Sequence, residues 1–344
     1  MKKTIVWLLI TCLCIGTLSG CTPDREAVSG NFDEGKLSVV ATSFPIYDWT
    51  REIIGGTKGI ELSLLSREGL DPHSFQPSVE DITRMAKSDL FIHVGGESDA
   101  WVHDALKNFA DADMKVLSLV EILGESVKNE EIVEGMEHDH VDDHDHTEEH
   151  EDEHPHADDH ESELTLDIDE HVWLSLRNAQ IICRNISEML SVLDSVNREA
   201  YAQNCAEYLA KLDALDRQYG LAVNEARGKT LVFGDRFPFR YLLDDYELQY
   251  FAAFPGCSAE TEASFETIVF LATKLDELEL GSILVIDGSN RKIADIILLS
   301  SANREREILE LDSMQSATVA DIASGYTYLR AMEKNLEVLK IALD

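Results

Sequence analysis

The sequence is poor in positive charge: 29 Lys and Arg stand against 66 Asp and Glu in 344 residues, a formal net charge of −37. Such a chain repels nucleic acid and anionic lipid surfaces, and its natural partners are cations. Cysteine is scarce, six in all, with no CxxC pair, which excludes a zinc ribbon or a disulfide-stapled scaffold. Gly-x-Ser-x-Gly is absent, and HExxH is matched only by His150-Glu151-Asp152-Glu153-His154 within a run of acidic residues and histidines that has no apolar face for a zinc-binding helix, so neither common hydrolase signature stands in its usual context. There are seven prolines, and the one long apolar run, Ile5 to Leu18, falls short of the roughly 20 residues a membrane span needs. With 44% hydrophobic residues the chain can still bury a sizeable core, so disorder or a fibrous habit is excluded.

The Ile5 to Leu18 run follows Lys2 and Lys3, as in a secretory signal. It ends in Leu18-Ser19-Gly20-Cys21, a phrase that resembles the bacterial lipobox. That resemblance implies a signal peptide over 1–20, lipidation at Cys21, and placement on the outer face of the cytoplasmic membrane, whether at a cell surface or in a periplasm. Residues 21–36, polar and flexible in composition, are expected to form a tether. Three cysteines then remain in the folded part, Cys183, Cys205 and Cys257; a Cys183 to Cys205 disulfide and three free thiols are both compatible with an exported chain.

Short apolar runs alternate with helical stretches. Leu37 to Thr42, Ile60 to Leu65, Asp89 to Val94 and Met114 to Leu119 form a first series. Thr230 to Phe233, Leu248 to Ala252, Ser282 to Ile286 and Ile308 to Leu311 form a second. This predicts an α/β protein of two lobes with mostly parallel sheets, over 37–171 and 228–344. Between them, 172–227 carries Leu, Ala and Tyr at three- and four-residue spacing, which predicts two helices, the second a spine over about 196–226.

Acidity is concentrated. Glu130 to Glu163 holds seventeen acidic residues, no Lys or Arg, and eight of the twelve histidines: His138, His140, His144, His146, His150, His154, His156 and His160. The composition predicts a disordered loop over 130–163. Imidazoles suit zinc, copper and nickel, and the carboxylates around them concentrate cations, so the loop reads as a multi-site collector for divalent metal. A flexible loop loses too much entropy on closing around one ion to be the specific site.

The specific site is sought among the other histidines. Asp71-Pro72-His73-Ser74-Phe75 and Asp169-Glu170-His171-Val172-Trp173 place His73 and His171 at junctions into helices, whereas His93 falls in an apolar strand and His103 on a helix surface. The two phrases, with Ser88-Asp89-Leu90, Gly95 to Trp101, Leu311-Asp312-Ser313-Met314 and Tyr328-Leu329-x-x-Met332-x-x-Asn335-Leu336, resemble the metal-binding lipoproteins that feed zinc and manganese ABC importers. The resemblance spans nearly the whole chain beyond the tether. It implies a monomeric solute-binding protein, not an enzyme, that passes metal to a permease from a cleft between the lobes.

It also implies four ligands: His73, His171, a third just after the first strand of the second lobe, and Asp312. Glu170 stands where the family usually has proline. The third position departs further, because Gly234-Asp235-Arg236 contains no His or Glu. Asp235 is the nearest oxygen donor, an aspartate after a strand also being a common helix cap, and Asp287 of the Val285-Ile286-Asp287-Gly288 phrase is the runner-up. Two imidazoles and two carboxylates neutralise a divalent ion. Oxygen-rich ligation leans toward manganese, whereas the histidine-rich loop is a habit of the zinc-binding branch, so zinc is expected, with manganese second. A zinc-dependent exported hydrolase and a surface adhesin of the same fold are the alternatives.

Overall fold

The computed structural model describes residues 35–65, 75–109, 113–136, 168–256 and 262–344. His73, Cys21, Cys257 and all eight loop histidines lie outside the described residues.

Strands β1 (Leu37–Ala41), β2 (Ile60–Leu64), β3 (Leu90–His93) and β4 (Lys115–Ser118) form one sheet in the order β2-β1-β3-β4, every pair parallel. Val39, Val40 and Phe91 are wholly buried on the central strands, which is why these segments read as unbroken apolar runs. Around them lie α1 (Phe44–Ile54), α2 (Val79–Ala86), α3 (Ala100–Lys107) and α4 (Leu119–Leu123). Helix α2 begins with a capping box in which Ser78 and Asp81 satisfy each other's backbone N–H groups.

Helices α5 (Leu176–Leu193) and α6 (Arg198–Glu225) follow. At about 1.5 Å per residue the 28 residues of α6 span roughly 42 Å. Its buried face is Tyr201, Cys205, Tyr208, Leu212, Leu215, Tyr219 and Val223, the expected three- and four-residue spacing. The spine touches both lobes. Asn204 Nδ2 donates to Ile53 O of α1 at 3.0 Å. Tyr219 Oη donates to Met332 O at 2.5 Å. Cys183 and Cys205 are buried free thiols, so the disulfide between them that the sequence allowed is not formed.

The second sheet comprises β5 (Thr230–Phe237), β6 (Gln249–Pro255), β7 (Ser282–Ile286) and β8 (Glu307–Leu311), parallel throughout in the order β6-β5-β7-β8 and therefore a topological copy of the first. Its helices are α7 (Arg240–Asp245), α8 (Phe265–Glu277), α9 (Lys292–Ser300), α10 (Val319–Ala323) and α11 (Tyr328–Ala342), the last carrying Met332. A single buried cluster runs from α1 through the spine to both sheets and α11, so the lobes share one core. Among the described residues no helix is long and apolar enough to cross a membrane.

Two segments differ from the sequence expectation. Strand β5 does not stop at Phe233: after a register shift, Arg236 and Phe237 resume pairing with Phe254 and Pro255, and the Phe237 ring stacks on Tyr250. Residues 130–136, expected to open the disordered loop, instead pack on the fold. Met136 is buried, Val133 lies against the core, and Gly135, at φ +84°, sits so close to Phe270 of α8 that a Cβ there would come within 2.0 Å of the ring. Val133 and Met136 are the apolar anchors that the surrounding acidity obscures.

Candidate metal centre

His171 is fully buried in the segment that leads into α5. The chain arrives there anchored: Asp169 N donates to Lys128 O at 2.9 Å, and Tyr241 Oη donates to Asp169 O at 2.9 Å. The Asp169 carboxylate folds back on the imidazole. Its Oδ1 accepts from His171 N at 2.9 Å and lies 2.8 Å from His171 Nδ1. An ionised carboxylate only accepts, so in the neutral ring Nδ1 carries the proton and Nε2 presents its lone pair. Trp173 packs edge-on against the ring at 5.3 Å. Gly256 closes the other side. A Cβ there would come within 3.1 Å of Cε1 and 3.3 Å of Nδ1.

Asp312 directly follows β8 and is 6% exposed. Asn335 of α11 fixes its backbone, accepting from Asp312 N at 2.7 Å and donating to Asp312 O at 2.8 Å. Tyr326 Oη lies 2.8 Å from both carboxylate oxygens, and Met314 N donates to Oδ1 at 2.9 Å. Burial, then the neighbouring charge of Asp287, hold the Asp312 carboxyl above the usual carboxylate range. That is the condition of a carboxylate better stabilised by a cation than by solvent.

Asp287 is committed elsewhere. Its Oδ1 accepts from Ser313 N at 2.7 Å and from Ser313 Oγ at 2.6 Å, and its Oδ2 accepts from Ser316 Oγ. It braces the turn after Asp312. Asp235 lies within β5 and caps no helix, the N-cap position of α7 being Phe239. Its Oδ1 accepts from Arg236 N at 2.9 Å, while Oδ2 is buried with no hydrogen-bond donor among the described residues. A buried carboxylate oxygen without a donor is costly unless a cation serves it.

The turn after β8 joins the two lobes. Trp173 Nε1 donates to Ser313 O at 3.0 Å, Tyr328 Oη donates to Trp173 O at 2.7 Å, and Gln315 Nε2 lies 2.9 Å from His171 Nε2. His171 and the Asp312 turn are thus brought together. Among the described residues no three His, Cys, Asp or Glu side chains converge closely enough to hold an ion, and His73 is not among them. Beside the pair is an inter-lobe cavity of about 40 Å³, lined by Ser43, Phe44, Val94, Ser98, Glu170 and Gln315 among others. Glu170 Oε1 accepts from Ser98 N at 2.7 Å, and burial pushes its carboxyl upward. Gly96 lies against that side chain, where a Cβ would come within 2.5 Å of Oε1. His103 is exposed on α3. His93 ends β3 half-buried, its Nδ1 3.4 Å from Asp99.

Sequence reasoning missed Asp169, Tyr326 and Gln315 as supporting groups. Asp169 was detectable, since an aspartate two residues before a backbone N–H readily folds back on it. Tyr326 and Gln315 carry no local signal.

Comparison with known proteins agrees with this architecture. A family model described as "Zinc-uptake complex component A periplasmic" (ZnuA) matches residues 39–342. The zinc-binding lipoprotein AdcA of Streptococcus pneumoniae serotype 4 is 29% identical over 344 residues, covering 100% of this chain and 62% of that protein. The chain therefore spans less than two thirds of that relative's length. The high-affinity zinc uptake system protein ZnuA of Bacillus subtilis is 28% identical over 343 residues, covering 100% of this chain and 99% of that one. Among solved structures, the Zn(II)-bound ZnuA-like domain of Streptococcus pneumoniae AdcA superposes with a TM-score of 0.67 at 23% identity, covering 90% of this chain and 100% of that one. The laminin-binding protein Lmb of Streptococcus agalactiae, described as having adhesin and metal transporting activity, gives 0.67 at 22% identity over the same shares. At these identities the structural likeness shows a shared fold.

Proposed function

The chain belongs to the ZnuA family of zinc-uptake components, matched over 39–342, and from that premise we propose that it captures zinc outside the cytoplasm and hands it to an ABC permease. The family is a transport component, not an enzyme family. The observation that carries the reading is His171: a wholly buried imidazole whose Nδ1 is held by Asp169, so that Nε2 is offered to the turn that follows Asp312.

The proposed ligands are His73, His171, Asp312 and Asp235. The buried, donor-less Oδ2 of Asp235 supports it over Asp287, whose oxygens already accept from Ser313 and Ser316. Two neutral imidazoles and two carboxylates balance a divalent charge, with zinc to nitrogen distances of about 2.0–2.1 Å expected. Asp169 keeps His171 in the ligating tautomer, and the Tyr326 hydroxyl favours the charged form of the Asp312 carboxyl against the effect of burial. The eight histidines between His138 and His160 collect metal for this site, and lipid on Cys21 holds a monomeric protein at the outer membrane face. Manganese is the competing ion, because oxygen ligands suit it.

The test is competitive zinc titration of the full chain and two variants. His73→Ala abolishes the tight site. Deletion of 138–160, placed beyond the anchors Val133 and Met136, lowers stoichiometry and leaves one tight equivalent. Unchanged tight binding in His73→Ala would overturn the ligand set.

A further inference from the structure

The contact between Gln315 and His171 has no role in the ligand set, yet it occupies the atom the set depends on. Because Nδ1–H is given to Asp169, Nε2 has only a lone pair, and a partner at 2.9 Å must be a donor. The Gln315 amide nitrogen meets that need. One imidazole lone pair cannot serve an N–H and a metal ion together.

We propose that Gln315 is a placeholder for the ion, an amide that caps His171 Nε2 in the ion's place and is exchanged for it on capture and release. The proposal rests on His171 being a ligand. The placeholder is aimed by a built turn. Met314 is in the left-handed region at φ +61°, uncommon for a residue with a side chain. Met314 N is tied to Asp312 Oδ1, and Ser313 is tied through backbone and hydroxyl to Asp287. Asp287 thereby has a role without ligating: it holds the turn that carries both a ligand and its competitor.

Two consequences follow for a carrier that must release its cargo. Capture is weakened by the hydrogen bond the ion displaces, and departure is assisted because the amide takes the lone pair as the ion leaves. A net hydrogen bond of about 1 kcal/mol corresponds to about fivefold in affinity.

The experiment compares the full chain with Gln315→Met, which keeps length but not the donor, and with Gln315→Ala. Zinc affinity is read by competition against a chelator strong enough to leave the loop sites empty, and release by chelator-triggered dissociation. Both variants should bind about fivefold tighter and release zinc more slowly. In the zinc-free protein, the ¹⁵N resonance of His171 Nε2 should move in Gln315→Met while that of Nδ1 stays. Equal or weaker binding in both variants, or an unmoved Nε2 resonance, overturns the placeholder. His171→Ala separates the two ideas: if it keeps tight zinc binding, the ligand assignment itself fails; if it loses zinc while the Gln315 variants match the parent, only the placeholder fails.

Discussion

Asp169→Asn tests whether the buried carboxylate beside His171 tunes the ligand or merely fills space. Asparagine keeps the size and one acceptor oxygen but removes the charge. In the parent, Oδ1 serves both His171 N and Nδ1–H, at 2.9 and 2.8 Å, in a site where Asp169 is 3% exposed and His171 is 0% exposed. Water cannot take over either bond. A charge-assisted hydrogen bond is roughly twice as strong as a neutral one, and loss of such support typically costs about 10- to 100-fold in metal affinity, or about 1.4 to 2.8 kcal/mol. The complete burial of both partners places the expected loss at the upper end, near 100-fold. The melting temperature without zinc should fall by only a few degrees, because removing a buried charge offsets part of the weakened bond. Chelator competition and a thermal melt by circular dichroism measure the two. Affinity within twofold of the parent would refute the claim that Asp169 sets the tautomer and basicity of His171.

Tyr326→Phe removes the hydroxyl 2.8 Å from both Asp312 oxygens. The Asp312 carboxyl, already raised by burial, should rise further, so that protons compete better with zinc; chelator competition should show a deficit that grows as pH falls. Gly256→Ala puts a Cβ 3.1 Å from His171 Cε1 and should weaken zinc binding about tenfold, as a shifted ligand does. Gly281→Ala, with nothing within 4 Å, is the matched control that should bind normally. Asp48, buried in α1, has a carboxyl pushed up to about 6, chiefly by burial. Its folded value exceeds the unfolded 3.8, so the folded state holds the proton more tightly and stability is lost as pH rises from about 4 through about 6. Asp48→Asn should remove up to about 3 kcal/mol of that fall, read as the difference between parent and variant urea unfolding across the same range, while Asp245, also raised to about 6, continues to contribute in both. Identical slopes would refute the assignment.

The sheets and the spine were legible because each rests on a repeating local signal. Val39, Val40 and Phe91 are buried on both faces of a parallel sheet and so read as unbroken apolar runs. The buried tyrosines of α6 recur at helical spacing. The placement of His171 at the entry to a helical segment and of Asp312 just after a strand was legible through the phrases around them. The continuation of β5 past Gly234 was not, because its cause is the partner strand: Phe254 and Pro255 offer pairing that nothing in Gly234-Asp235-Arg236 announces. Nor was the anchoring of 130–136, where two apolar residues among acids find a surface on the second lobe. Gln315 meets His171 across 144 residues of chain, and that contact exists only once both lobes are built.

The ties between lobes constrain how capture can work. Tyr328 N donates to Asp48 Oδ2 at 2.8 Å across 280 residues of chain. Trp173 and Tyr328 bind the α5 approach to the second lobe, Tyr241 does the same at Asp169, and a continuous core runs beneath them. A wide opening of the lobes would break these four bonds together, at about 0.5–1.5 kcal/mol net each, and would expose shared core besides. A ligand can bias such an equilibrium only by the difference between its affinities for the two states. One ion would have to spend several kcal/mol on closure before gaining any affinity. Local exchange is the cheaper route, with the ion replacing a hydrogen-bond donor at His171 Nε2 while the lobes rock slightly about the spine. On the proposed function, release then requires outside work, and a docked permease that pulls on the turn from Asp312 to Ser316 would disturb one proposed ligand and move the amide of Gln315 in a single displacement.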